Sequence, residues 1–309
     1  MGRIETTKFP TGPVDSESFV RSAGYARRQL PEVVHDALVD FADQSPRSGY
    51  LLLRNIDIGD IPTTPSSPIE ATSKTLHSEF VLLAVARCLG QPVGYRPEHN
   101  GSLVQNIVPV RGTEGSQIST SSRVELQFHT ETAFHPFRPR YLLLLCLRGD
   151  PQAGTLVASI YDIVERLSPS DLEVLRQKRF RTAVDESFLN GAPSGLGEAQ
   201  PILFGSESDW TFVYDADLMV GIDSAAQDVL ERLALAVRKS SRSVVLDAGD
   251  LLVVDNNVAV HGRTPFVARF DGTDRWLQRT FVVSDLSPSA GDRVGRIITT
   301  TFDESSKPG

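Results

Sequence analysis

Cysteine is almost missing from this chain of 309 residues, with Cys88 and Cys146 its only two thiols. Two thiols make neither a disulfide framework nor a thiolate metal site, and the apolar surroundings of both predict buried, inert side chains. Long apolar runs are missing as well. No stretch of about 18 apolar residues occurs, so a membrane-spanning helix is not expected. Residues 1–5 (MGRIE) have no apolar leader core, which points to the cytoplasm. Positive charge is also scarce: Lys and Arg number 31 against 39 Asp and Glu, a formal charge of −8. No basic patch stands out, and phosphate backbones are bound by concentrated Lys and Arg, so nucleic acid is not an expected partner. The rest, 40% hydrophobic and 23% charged, is ordinary for a globular protein long enough to bury a full core.

The pattern changes character along the chain. Residues 1–92 read as mostly helical. Apolar spacing at Val33, Val34, Ala37, Leu38 and Phe41 predicts a helix over 30–43, followed by Gly49 and a strand over 50–53. A second helix over 70–89 is stopped by Gly90 and Pro92. The stretch 61–68 between them is too proline-rich for regular structure. Residues 93–284 are dominated by short strands, over 103–108, 124–134, 140–147, 155–160, 180–184, 210–214, 243–246, 251–254 and 276–283. Helices over 168–178, with Ser168 as N-cap, and 224–240 interrupt them. Many short strands with Gly/Pro turns and no alternating β-α rhythm predict a mainly β sandwich or jelly roll with flanking helices. Residues 285–309 form a C-terminal tail. No repeat and no internal boundary is visible, so 1–309 reads as a single domain.

One segment carries chemistry. In Phe128-His129-Thr130-Glu131, a strand would project His129 and Glu131 from one face, because strand side chains alternate with period two. A distant histidine, His261, can complete two imidazoles and one carboxylate on one face of a metal, the facial triad of non-haem Fe(II) oxygenases. An isolated H-x-E is weak, since chance supplies it often. Arg275, fourteen residues after His261 on a strand-like run that could pair with it, strengthens the reading. Arg279 lies four residues further, so both guanidinium groups share a strand face. Near Trp276 and Phe281 such a strand is buried, where an unpaired guanidinium is costly and a carboxylate is its natural partner. His135 falls about 20 Å along the same extended strand as His129, too far for the metal. His35, His77 and His99 read as ordinary polar side chains.

These stretches resemble the clavaminate synthase-like branch of Fe(II)/2-oxoglutarate-dependent oxygenases. The similar segments are 51–54 (LLLR) with 62–67 (PTTPSS), 128–131 (FHTE) with Arg138-Pro139, 153–159 (AGTLVAS), 248–256 (AGDLLVVDN), 261–266 (HGRTPF) and 271–279 (DGTDRWLQR). The resemblance spans roughly residues 49 to 284. It implies a double-stranded β-helix and Fe(II) held by His129, Glu131 and His261. It also implies 2-oxoglutarate as cosubstrate with O2, its distal carboxylate on Arg275 and the Thr155 hydroxyl. Arg279 would receive the α-carboxylate of an amino-acid-like substrate, and Gln105 its amino group. Asp215 and Asp217, in Tyr214-Asp215-Ala216-Asp217, would grip a guanidinium or amine together with Asp185. The implied reaction is hydroxylation, at C3, of a basic amino acid such as arginine or a derivative, in antibiotic biosynthesis.

Phe134 and Phe281 stand where the synthase itself is expected to carry tyrosines, so a simple hydroxylase is preferred over an oxidative cyclase or desaturase. A non-catalytic β-helix binding protein has no reason to keep the triad, Thr155 and Arg275 together. A zinc hydrolase needs no arginine for a cosubstrate. The Gly/Ser/Thr-rich stretch 112–122 reads either as a mobile lid or as a plain surface loop.

Overall fold

Strands buried on both faces build the centre of the molecule. The structure is a computed structural model that describes residues 12–44, 46–70, 72–189, 194–206 and 209–302. Three helices and two strands come first: α1 (Glu17–Ala26), α2 (Glu32–Gln44), β1 (Tyr50–Leu53), α3 (His77–Leu89) and β2 (Gln91–Tyr95). Then follow β3 (Gln105–Ile107), β4 (Leu126–His129), β5 (Tyr141–Arg148), β6 (Gly154–Ser159), α4 (Ile160–Ile163), α5 (Pro169–Leu175) and β7 (Phe180–Thr182). The chain continues through β8 (Leu203–Ser206), β9 (Asp209–Phe212), β10 (Met219–Gly221), α6 (Ser224–Ser240), β11 (Arg242–Val245), β12 (Leu251–Asp255), β13 (Ala259–Arg263) and β14 (Trp276–Val283). It closes with β15 (Arg293–Val294) and β16 (Ile297–Ile298).

Two sheets carry the architecture. The larger runs β1-β12-β5-β14-β2-β16-β15, with β3 also on β14, and the smaller runs β11-β6-β13-β4. Side-chain alternation separates their faces. Along β5, Leu143, Leu145 and Leu147 pack with Val34, Leu38, Leu82 and Val85 of α2 and α3. Leu142, Leu144 and Cys146 point the other way, toward Val157 and Ala259 of the smaller sheet. On that sheet Leu156, Ala158 and Val260 turn outward onto Val229, Leu233 and Val237 of α6. The expected mainly β double-sheet fold with flanking helices is thus the observed one. Both cysteines lie in this apolar interior, Cys146 buried and Cys88 half-buried, and burial pushes the Cys146 thiol up to about 12.

Several expectations need correction. The second helix starts at His77 rather than at residue 70. Ser168 does cap its helix through a reciprocal capping box with Asp171, but the helix ends at Leu175. The strand bearing His129 ends at that residue, so His135 does not lie far along it. The strand after Arg275 does not pair with the strand of His261. β14 belongs to the larger sheet and β13 to the smaller, so the two face each other across the core. Among the described residues no helix is long and apolar enough to cross a membrane.

A buried polar cluster fastens α3 to β14. Gln278 sits on the helix-facing side of β14, and its Nε2 donates to Glu79 Oε1 at 2.9 Å and to Asn106 Oδ1 at 3.3 Å. Lys74 Nζ also donates to Glu79 Oε1, and the two charged side chains are only 4% and 10% exposed. Removing one partner of such a pair leaves the other charge buried and uncompensated. Glu79→Ala is therefore expected to cost about 3–5 kcal/mol in urea unfolding, and Lys74→Met/Glu79→Leu clearly less. Equal losses from both variants would mean that the pair contributes by packing alone.

Candidate active site

The gap between the sheets is where the predicted metal residues meet. On β13, Ala259, His261 and Arg263 alternate inward, as do Thr155 and Val157 on β6, and β13 pairs directly with both β6 and β4. After His129 the chain leaves the sheet in a turn that the buried Asn256, just after β12, holds in place. Asn256 Oδ1 accepts from Glu131 N at 2.7 Å, and its Nδ2 donates to Glu131 O at 3.2 Å and Pro139 O at 3.0 Å. Thr130 N donates to Tyr214 O at 2.7 Å, and Thr132 takes a positive φ of 50°. The turn brings Glu131 back beside His129.

One ligand atom from each of His129, Glu131 and His261 falls within 4.8 Å of the other two. Glu131 Oε2 lies 3.4 Å from His261 Nε2 and 4.0 Å from His129 Nε2. This oxygen is buried without a hydrogen-bond partner, as expected of an atom whose partner is a metal. His129 Nδ1 contacts the Gln127 carbonyl at 2.8 Å. A carbonyl only accepts, so the ring carries its proton on Nδ1 and presents a lone pair on Nε2. Burial, followed by the neighbouring His129, holds His261 down at about 4. Burial pushes Glu131 up, but Arg279 and the two histidines more than offset it and leave its carboxyl at about 2. Neutral imidazoles and an ionised carboxylate are the states that bind metal. Two nitrogens and one oxygen on one side of a cavity fit Fe(II) with open positions.

The cavity is about 350 Å³ and is lined on its inner wall by Thr155, Leu144, Leu277, Arg263 and Arg275. Arg275 is buried and donates to Thr155 Oγ1 at 3.2 Å, with no carboxylate in ion-pair range among the described residues. Burial lowers the pKa of Arg275. It is a cation set up for an anion from outside. Arg279 is placed differently. Its Nη1 donates to Glu131 Oε1 at 3.4 Å, its Nε to Gln105 Oε1 at 2.9 Å, and its Nη2 to Gln105 and Glu98. Arg279 thus occupies one oxygen of Glu131 and leaves the other for a metal. Gln105 sits behind Arg279 and is not among the residues that line the cavity.

The predicted aspartates gather at the outer end. Asp185, Asp215 and Asp217 all line the cavity; Asp215 bridges to the backbone of His129 as an isolated strand pair, and only Asp217 lies in the turn that follows. Asp215 is buried, and its Oδ1 accepts from Asp217 N at 2.9 Å and Leu218 N at 2.8 Å. Burial raises its pKa. Asp217 is exposed at the rim, and Asp185 caps a short turn through Ser187 N at 2.8 Å. Among the described residues none of the three forms an ion pair.

Sequence reasoning missed Glu98, Asn256 as the clamp of Glu131, and His99 as a cavity residue. Glu98 faces the cavity with one carboxylate oxygen buried and unpartnered. Burial pushes its carboxyl up to about 7 against the pull of Arg279. His99 has a positive φ of 46°, and burial followed by Arg279 holds it down at about 4. Neither residue stands in a recognisable pattern; only nearness to Arg279 marks them. Of the loop 112–122, residues Gln117, Ile118, Ser119 and Thr120 line the cavity. His135 is buried between Tyr95, Phe137 and Phe302, away from the metal ligands.

Residues 23–281 match the model of the family described as taurine catabolism dioxygenase TauD, TfdA family. The chain belongs to the TauD/TfdA dioxygenase family. It is 37% identical over 294 residues to an L-lysine 3-hydroxylase of Catenulispora acidiphila, covering 93% of this chain and 82% of that protein. Its fold is similar to asparagine oxygenase solved with Fe(II), (2S,3S)-3-hydroxyasparagine and succinate, with a TM-score of 0.88, 36% identity and 96% and 93% of the two chains covered. It is likewise similar to the non-heme iron oxygenase OrfP solved with Fe, succinate and (3S)-hydroxy-L-Arg, with a TM-score of 0.84, 32% identity and 93% and 92% coverage. The expected family, fold and cofactors hold: the chain is an Fe(II)/2-oxoglutarate-dependent dioxygenase.

Partners outside the ligand set typically tune metal affinity 10–100-fold. In this oxygenase Asn256→Ala is expected to weaken Fe(II) binding by about that factor while far-UV dichroism stays unchanged. Undiminished affinity in anaerobic titration would show that the Glu131 turn holds its shape without Asn256.

Proposed function

We propose that this oxygenase hydroxylates C3 of a free basic amino acid, lysine or arginine or a close derivative. The observation that carries the reading is the group Asp185, Asp215 and Asp217, three carboxylates on one cavity without a cationic partner among the described residues. Adjacent unpaired carboxylates repel, and a cation between them removes the penalty. At the other end, Arg279 offers its remaining Nη1 hydrogen to an α-carboxylate, and the unpartnered oxygen of Glu98 offers a place for an α-ammonium. Because Arg279 touches the metal ligand Glu131, anchoring the amino-acid head there leaves the adjoining carbons nearest the iron.

His129, Glu131 and His261 would hold Fe(II), while Arg275 and Thr155 receive the distal carboxylate of 2-oxoglutarate. With both bound, the centre uses O2 to place one oxygen atom on the substrate carbon and the other in succinate, releasing CO2. The protein's own contribution is orientation and exclusion of water. Gln117 closes one side of the cavity, since Gln127 N donates to its Oε1 at 3.1 Å and its Nε2 donates to Glu125 O at 3.0 Å. The similarity to an L-lysine 3-hydroxylase and to a structure holding (3S)-hydroxy-L-Arg supports C3 and a basic side chain. A setting in antibiotic biosynthesis agrees with the similarity to an enduracididine β-hydroxylase of Streptomyces hygroscopicus.

Lysine, ornithine and arginine should each be screened for substrate-dependent succinate release, with a product 16 Da heavier expected for at least one. Turnover of asparagine alone would replace the basic class by a neutral amide. Asp217 is exposed, so its pairing is partly screened. Asp217→Asn is therefore expected to raise KM for the basic substrate by about tenfold or more, leaving KM for 2-oxoglutarate unchanged. An unaltered substrate KM would return Asp217 to the role of a surface turn.

The acidity of Glu98 adds a pH test. Its carboxyl titrates at about 7, above the ordinary carboxylate range, so it is protonated and uncharged below that pH. An uncharged carboxyl cannot pair with an ammonium, and kcat/KM for the amino acid should fall as pH drops through about 7. Glu98→Gln should remove that limb and lower the plateau. A limb that survives the substitution belongs to another group.

A further inference from the structure

On the opposite side of β2 from the active site, a second concavity of about 330 Å³ opens between α1, the end of α3 and the turn joining β15 to β16. The sequence predicts no basic patch, and the structure overturns that expectation. Arg21, Arg27, Arg28, Arg87 and Arg296 line this pocket, with Glu17 the sole carboxylate among its lining residues. Arg21, Arg27 and Arg28 lie on α1 and the turn after it and meet Arg87 where α1 packs on α3, while Arg296 joins them because the β15–β16 hairpin adds to β2, where Gly94 N donates to Arg296 O at 3.1 Å.

Part of this cluster has an ordinary explanation. Arg27 Nη1 donates to Arg87 O at 2.8 Å and Arg87 Nη1 to Gly90 O at 2.9 Å, so both cap the carboxyl end of α3, where cations are favoured. The Arg296 side chain is only 10% exposed and is neutralised by Glu17 through contacts of 2.9 and 3.2 Å. That leaves Arg21 and Arg28 with no ion pair among the described residues, and Arg87 with neutral partners only. Burial, then repulsion from Arg296 and Arg27, lowers the pKa of Arg87. The helix is shaped around this guanidinium: a Cβ at Gly24 would stand 3.2 Å from Arg87 Nε. A glycine within a helix costs about 1 kcal/mol relative to alanine. In a chain of net charge −8, concentrating like charges in one concavity leaves a local positive excess, on exposed Arg21 and Arg28 above all, that favours an anion. The ring of Tyr25, 65% exposed, forms one wall of the same pocket.

We infer that this pocket binds a phosphate-bearing small molecule, its oxygens taken by the forked donors of Arg21, Arg28 and Arg87. Guanidinium groups match phosphate geometry with two parallel hydrogen bonds each, and the volume exceeds a single phosphate, which suits a pyrophosphate or nucleotide. The Tyr25 face would then carry the aromatic base. Calorimetric titration of the full chain with inorganic pyrophosphate and with ADP, at low and high KCl, tests this. Binding should weaken steeply with salt and by at least about tenfold in Arg21→Gln/Arg28→Gln, which should keep wild-type succinate release because neither residue reaches the active site. Tighter binding of ADP than pyrophosphate, lost in Tyr25→Ala, identifies the ligand as a nucleotide; equal affinities keep the phosphate site without the base. No binding at low salt, or unchanged affinity in the double variant, overturns the inference and reduces the arginines to helix caps.

Discussion

A carboxylate with 5% exposure stays charged only if cations surround it, and Glu131 is that carboxylate. Burial alone would protonate it and remove its ability to hold a metal. Arg279 on one side and the two histidines on the other reverse the balance. The arrangement divides the two oxygens of Glu131, Oε1 to Arg279 and Oε2 toward the histidines. Arg279 in turn needs its own partners, and the Gln105 amide oxygen and the Glu98 carboxylate close around it. A single buried charge thus determines a chain of neighbours from the metal site to the substrate's head group. Losing Arg279 would change the metal ligand's protonation as well as substrate binding.

The rigid element behind this chain is β14. Its alternation sends Leu277, Arg279 and Phe281 into the gap between the sheets, and Trp276, Gln278 and Val282 toward the helices. It pairs with β5, β2 and β3 at once, so it sits in the middle of the larger sheet rather than at an edge. Of the candidate metal residues, His129 and His261 come from the facing sheet and Glu131 from the turn that follows β4. Arg275 and Arg279 therefore stand on the wall opposite His129 and His261, with the cavity between them. A site on one sheet would crowd ligands and anchors onto the same surface.

Legibility followed locality. The strand periods of β1, β5, β12 and β14, and the helix α6, could be read because each is a run of side chains whose burial is set by its own spacing. His129, Glu131 and His261 could be read because two of them are neighbours and the third lies in a motif. β13 could not, since His261, Gly262 and Arg263 break the apolar pattern of a strand that nonetheless lies buried. The error of pairing β14 with β13 came from nearness in sequence; a jelly roll sends successive strands to opposite sheets. Glu98 and His99 come just before a non-helical kink at Asn100 and answer only to Arg279, 181 residues from Glu98. Gln105 was placed in the right neighbourhood, and the structure adds Arg279 as a partner of its amide oxygen that spacing alone could not show.

Net charge says little about where charge gathers, and the reason is physical. Formal charge is a sum over the chain, while binding depends on the field within about a Debye length, about 8–10 Å at ordinary salt. Two regions of opposite sign coexist here at that scale. The outer end of the active-site cavity holds Asp185, Asp215 and Asp217, and the face beyond β2 holds five arginines. β2 lies between them, joined to β14 on one edge and to the β15–β16 hairpin on the other. Arg296 rests on the start of β2 through Gln91 and Pro92, and Glu98 follows its end by three residues. The acidic total conceals both an acidic cavity end and an arginine-lined concavity, and β2 lies between them.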